Sequence, residues 1–184
     1  MKHDYNLKSS DREALRSLVG KRLVSYRLNM TDNVSYEVFV FRLEDEDVEV
    51  RTHEIFGTGD FFNETNTIEV LHRPNRDSWS GLGASDPADG IGEGQFKDYD
   101  VGKVIQSVSV VVEKFGCPAG DGEFVRGIVL GFGEDSLVFD KGSPNWSDIW
   151  RVTAQASSKV AFDTEDFSPN DEPYSVSVRV ERID

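Results

Sequence analysis

Hydrophobic and polar residues alternate along most of this chain. The C-terminal segment Tyr174 to Ile183 puts Val176, Val178 and Val180 on one side and Ser177, Arg179 and Glu181 on the other. That period of two is the mark of a half-buried β-strand. Val34 to Leu43, Val104 to Phe115, Phe124 to Phe132 and Ser136 to Asp140 are denser still in β-branched and aromatic residues, which favour a pleated surface. Lys21 to Asn29, Val48 to His53, Thr67 to His72 and Trp150 to Gln155 read as further strands. Polar or glycine-bearing turns separate them: Met30 to Asn33, Glu44 to Asp47 and the longer Gly116 to Gly122. The helical period occurs once. Ser10-Asp11-Arg12-Glu13 has the form of a capping box, Ala14, Leu15, Leu18 and Val19 follow at helical spacing, and Gly20 is placed to end the helix.

These elements predict a mainly β protein. The expected architecture is an antiparallel sandwich, or barrel-like sheets, of about eight or nine strands with one short N-terminal helix. Antiparallel pairing follows from the short turns, since parallel strands need long crossovers. The expected core is Leu15, Leu18, Leu23, Val38, Val40, Val48, Val50, Val108, Val110, Ile128, Leu130, Leu137, Phe139, Val176, Val178 and Val180. Arg179, Glu181 and Arg182 would guard an exposed edge.

Residues 1–184 are read as one domain with a weak internal repeat. Val19-Gly20-Lys21 recurs as Val101-Gly102-Lys103, and the stretch 41–50 can be laid on 130–139. The halves would be 19–72 and 101–160, separated by an acidic, glycine-rich loop over 73–100. Shared turn chemistry alone also produces such matches between two meanders.

Charge changes the picture. There are 34 acidic and 20 basic residues, a net charge of −14. Residues 77–100 hold six acids and one lysine, and 163–173 hold five acids and no base. Such a chain repels nucleic acid and anionic membrane, so direct binding to either is not expected. No apolar run is long enough for a membrane helix, and the N-terminus has no apolar leader. The single cysteine, Cys117, has no internal disulfide partner, which fits a cytoplasmic setting.

Recognised catalytic patterns are missing. His3 falls in a terminal tip; His53 and His72 end two strands and are placed to be neighbours, but no metal-ligand spacing surrounds them. The glycines at 81–83 and 90–94 lack the lysine and helix of a phosphate loop. Cys117 sits in the Gly-Cys-Pro turn with no neighbour to activate it. No metal ligand, cofactor or catalytic residue is assigned.

The chemistry that remains is recognition. Trp79 sits in a polar loop without a local core, and Trp146 lies four residues before Trp150, the spacing of one face of a helical turn. Trp150 itself is read as core. Tryptophans are enriched at binding hot spots, and loops on a rigid β scaffold are where recognition resides. The expected function is therefore a non-catalytic protein-binding module whose acidic loops meet a basic protein partner, in an inhibitor or immunity-like role. Its expected contact residues are Trp79, Asp86, Asp89, Glu93, Trp146, Asp163, Glu165 and Asp166. The alternatives are a small-molecule or carbohydrate-binding β-domain, and an enzyme whose site has no motif.

Overall fold

The alternating segments pair into two antiparallel sheets laid face to face. The structure is a computed structural model that describes residues 2–4, 7–29, 34–36, 38–55, 65–73, 97–117, 120–141, 149–162 and 175–183. In chain order the elements are β1 (Lys2–Asp4), α1 (Ser9–Arg16), β2 (Arg22–Leu28), β3 (Val34–Tyr36), β4 (Val38–Leu43), β5 (Asp47–Ile55), β6 (Thr65–Arg73), β7 (Lys97–Val104), β8 (Ser107–Cys117), β9 (Gly120–Gly131), β10 (Asp135–Asp140), β11 (Ile149–Ala156) and β12 (Ser175–Arg182). The smaller sheet has the order β6-β5-β4-β2-β7, and the larger β12-β8-β9-β10-β11-β3 with β1 attached to β9. Without the three-residue strands β1 and β3, each sheet has five members. The antiparallel sandwich expected from the turns is thus present. The one parallel pair among the described residues is β1 with β9, at the tip where no pattern was legible.

Inward positions fill a common core. Phe39 stacks on Phe139 with centroids 4.6 Å apart, and Trp150 meets Phe39 edge-on at 4.8 Å. Tyr26 stacks on Tyr99 and turns its edge to Phe139. Trp150 is fully buried, as expected, and its Nε1–H donates to Thr52 Oγ1 at 3.0 Å. It lies on a strand rather than a helical turn. Leu15, Leu18, Leu23, Val48, Val50, Val108, Val110, Ile128, Leu130 and Phe139 are all in this core. The chain crosses between sheets after β7, at Ile105, which is pinned by Gly20 N–H to its carbonyl and by its own N–H to the Lys21 carbonyl.

Several expectations need correction. Helix α1 starts at Ser9 with Lys8 as its N-cap, and no side chain caps it, so Ser10-x-x-Glu13 is not a capping box. The physical reason is that the helix begins one residue before Ser10, which places Ser10 inside it; the element is held instead by a long-range bond, in which the buried Asp11 carboxylate accepts the Val70 N–H of β6 at 3.0 Å. The helix ends at Arg16 with Ser17 as its C-cap, earlier than the stop expected at Gly20; Gly20 lies in the turn that follows, where φ is +86°, a conformation that favours glycine. The turn expected over 116–122 is largely strand, because β8 runs to Cys117 and β9 starts at Gly120. Arg73 belongs to β6, and Lys97–Val104 forms β7, paired with β2. Strand therefore reaches into both ends of the expected 73–100 loop. Val101–Val104, read as the opening of the second half, pairs within the sheet of the first.

Val176, Val178 and Val180 share a face, but not the face of the core. Val178 packs on a smaller cluster of Val111, Val129 and Val138 on the outer side of the larger sheet, beside Val160 and Phe162. Val180 is 49% exposed, because β12 is an edge strand hydrogen-bonded to β8 alone among the described residues. Val40 is buried on the outer side of the smaller sheet, outside the common core, and Val38 and Leu137 are half-buried.

Candidate ligand cleft

The two open sides of the sandwich differ. Along the β6 side, α1 closes the gap: Asp11 holds β6, and Arg12 pairs with Glu181 of β12 at 2.8 Å. Along the β7 side the sheets part into an open cleft of about 460 Å³, within the size of small-molecule sites. Its lining comes from both sheets, with Tyr26, Val101 and Lys103 facing Leu137, Ala154 and Ala156.

The opening has a cause in the sequence of β11. Inward positions alternate along a strand, and here they run Trp150, Val152, Ala154, Ala156. The first two are buried and fill the core; the last two are short and exposed. The space between the sheets opens where the side chains shrink. Phe132, half-buried, adds an apolar wall.

Polar groups collect at the mouth. Lys103 Nζ on β7 donates to Asp135 Oδ2 on β10 at 2.7 Å, bridging the sheets. Asp100 is also part of the lining and makes no ion pair among the described residues. Ser136 and Gln155 also line the cleft, but their side chains are engaged elsewhere: Ser136 Oγ with Ser157 Oγ at 2.7 Å, and Gln155 with Ala161. The charged residues of the lining are Asp100, Lys103 and Asp135.

Three other polar constellations compete as sites. The first superficially follows the order of a hydrolytic triad. Ser17 Oγ lies 3.4 Å from His72 Nε2, and His72 Nδ1 lies 2.8 Å from Glu46 Oε2. The chemistry does not follow. The Ser17 hydroxyl donates to the Ala14 carbonyl at 2.7 Å. The amides of Leu18, Val19, Gly20 and Lys21 all donate to carbonyls, so none is left to receive an oxyanion. Ser17 also caps the C-terminus of α1, the negative end of the helix dipole. The group works as a clasp, completed by Lys21 Nζ on Glu46 Oε1. Burial alone would raise the Glu46 carboxyl; the bonds from Lys21 and His72 outweigh it and hold the group below its ordinary value.

The second is a lattice of alternating charge on the outer side of the smaller sheet. Arg27 forks onto Asp98 with two bonds of 2.9 Å, Arg42 lies between Asp98 and Asp47, and Arg51 and Arg73 flank Glu49. Asp47 and Glu49 are fully buried. The hydrogen bonds from Arg27 hold the Asp98 carboxyl below its usual range, and the same bonds raise Arg27. Burial, then the charge of Arg73, lowers Arg51. Opposite charges set across neighbouring strands stabilise the sheet, and every arginine here already has a carboxylate.

The third is Arg126, fully buried on the outer side of the larger sheet. It forks onto Asp140 at 2.7 and 2.9 Å, reaches Glu113 at 3.1 Å, and carries the Phe162 ring 5.8 Å from its guanidinium carbon. This triad is structural, with no exposed face for a ligand.

The eight contact residues expected from the sequence lie outside the described residues: Trp79, Asp86, Asp89 and Glu93 within 74–96, Trp146 within 142–148, and Asp163, Glu165 and Asp166 within 163–174. His53 and His72 are not neighbours, because the β5–β6 register sets His53 against Thr67 and His72 against Val48, at opposite ends of the pair. Among the described residues, no three metal-ligating side chains come together. Sequence reasoning missed the cleft, although the run Trp150-x-Val152-x-Ala154-x-Ala156 carried its signal. It had no means to bring Lys103 to Asp135, 32 residues apart. Compared with known protein families, curated proteins and solved structures, the chain matches none.

Proposed function

We propose that the protein is a non-catalytic binding module whose ligand is a small molecule held between the two sheets at the β7 side. The observation that supports this most is the cleft itself, opened by Ala154 and Ala156 where the inward row of β11 would otherwise continue the core. It brings apolar side chains and charged groups from both sheets to one open cleft. The test is to fill it. Ala154 is exposed in the cleft, so Ala154→Phe leaves the sandwich intact and occupies the space. A small-molecule screen by thermal shift is expected to find compounds that raise the melting temperature of the wild type and leave that of Ala154→Phe unchanged. Equal shifts in both would place the ligand elsewhere.

A second reading rests on the charge of −14. It takes the acidic segments, with Asp86, Asp89, Glu93, Asp163, Glu165 and Asp166, as a surface for a basic protein partner, in an inhibitor or immunity-like role. Field complementarity of this kind raises association rates at low salt. Neutralising those six carboxylates is expected to keep the fold and abolish salt-sensitive binding to a basic protein; unchanged binding would end this reading.

A further inference from the structure

The mouth of the cleft already holds a cation. Lys103 Nζ reaches from β7 across the gap to Asp135 Oδ2 at 2.7 Å, and the two side chains are 50% and 66% exposed. Ion pairs this exposed add little to stability, so the lysine is readily displaced. Asp100 also belongs to the lining and makes no ion pair among the described residues. The lining therefore carries two carboxylates and one ammonium, in a chain of net charge −14. Such a field draws cations toward the cleft and repels anions. Behind the charges stand the apolar surfaces of Tyr26, Phe132, Leu137 and Ala154.

Resting on the small-ligand reading, we propose that the cleft selects a small organic cation, an alkylammonium carried on an apolar body, which takes the place of Lys103 Nζ on Asp135. The ammonium donates to Asp135 as the lysine does now, with Asp100 adding a second favourable charge. The apolar body lies against Tyr26, Leu137 and the two alanines. Lys103, once displaced, extends into solvent at no great cost.

A matched series of phenethylamine, 2-phenylethanol and phenylacetate, titrated by calorimetry, tests this. The three share a ring and differ in head-group charge. The wild type is expected to bind the amine about tenfold tighter than the alcohol, the increment of a charge-assisted hydrogen bond at a partly exposed site, and to reject the acid. Asp135→Asn is expected to bring the amine down to the level of the alcohol. Lys103→Met, which removes the resident competitor, is expected to tighten the amine severalfold. Both positions are exposed, so neither change threatens folding. If all three compounds bind alike and Ala154→Phe abolishes that binding, the cleft is a site but the choice of a cation is wrong. If Asp135→Asn keeps the preference for the amine, the carboxylate assignment is wrong. If none binds the wild type at millimolar concentration, both the cation and the small-ligand reading fall.

Discussion

At the scale of single residues, Arg126 is the sharpest case of sequence and environment in conflict. A fully buried arginine survives only with its charge matched. Burial alone would lower its affinity for the proton, but the bonds it donates to Asp140 and Glu113, with the charges of both carboxylates, more than offset this. Arg126→Met should therefore destabilise the fold by about 3–5 kcal/mol, because it removes the guanidinium charge that Glu113 and Asp140 face in the folded protein. Removing the whole triad, by adding Glu113→Leu and Asp140→Leu, should restore most of that loss. Urea denaturation of both variants checks the pair of expectations. If the single variant lost under about 1 kcal/mol, the Arg126 charge would not be what holds these carboxylates in place. None of this was legible beforehand. In the sequence Arg126 interrupts an apolar strand and reads as an exposed face; only the shift of register between Val111 and Val112, which brings it onto the outer side with Glu113, explains its burial.

At the scale of elements, the period of two was sufficient for most strands and for the antiparallel class, because burial on one face imposes it directly. It could not say which side of a sheet becomes the core. The valines of β12 kept their alternation and faced outward, since the larger sheet carries apolar residues on both sides of β8: Val108, Val110 and Val112 inward, Val111 outward. The capping box failed for a related reason. Local pattern assigned Ser10 and Glu13 to each other, whereas the element is positioned by a long-range bond from Asp11 to β6. That bond also covers an edge-strand N–H that would otherwise be open to another chain. Asp11→Ala should cost about 1–3 kcal/mol, the penalty of stripping a buried donor of its acceptor. Amide exchange localises the effect: the Val70 amide should exchange faster, while amides in β9 keep their protection relative to global stability. Uniform acceleration across both sheets would show instead that α1 docking governs the whole fold. The two hairpin turns at Leu43–Glu46 and Phe132–Asp135 close through the same bond, N–H of the first residue to carbonyl of the last, 89 positions apart. An origin of the halves by duplication remains a proposal.

At the scale of the whole molecule, the question is how a chain with a charge of −14 stays folded as pH changes. Much of the basic charge is spent inside the fold. Arg27, Arg42, Arg51, Arg73 and Arg126 are all committed to carboxylates on the outer sides of the sheets. Among the described residues, two carboxyls have folded values clearly below their ordinary ones of 4.5 and 3.8: Glu46, partly buried but bonded by Lys21 and His72, and Asp98, bonded by Arg27. A depressed folded value means that the unfolded chain binds the proton more readily. The stability each group contributes is then complete above its unfolded value and drains away as pH falls through the folded one. As far as these groups govern it, the urea midpoint should hold level from about pH 7 to 5 and fall progressively below about 4.5. In Glu46→Gln, which has no proton to gain, the acid limb should be shallower. Added salt should flatten the part due to Asp98, whose side chain is 39% exposed and therefore screened. Tyr26 works at the other end. Burial first, and Tyr99 second, raise its phenol above 10.0; a raised folded value is lost as pH rises through it, so an alkaline limb should begin above about pH 10. Tyrosine absorbance near 295 nm should change in step with that unfolding. A fall already complete by about pH 6 would assign the transition to histidine and remove Glu46 and Asp98 from control of the fold.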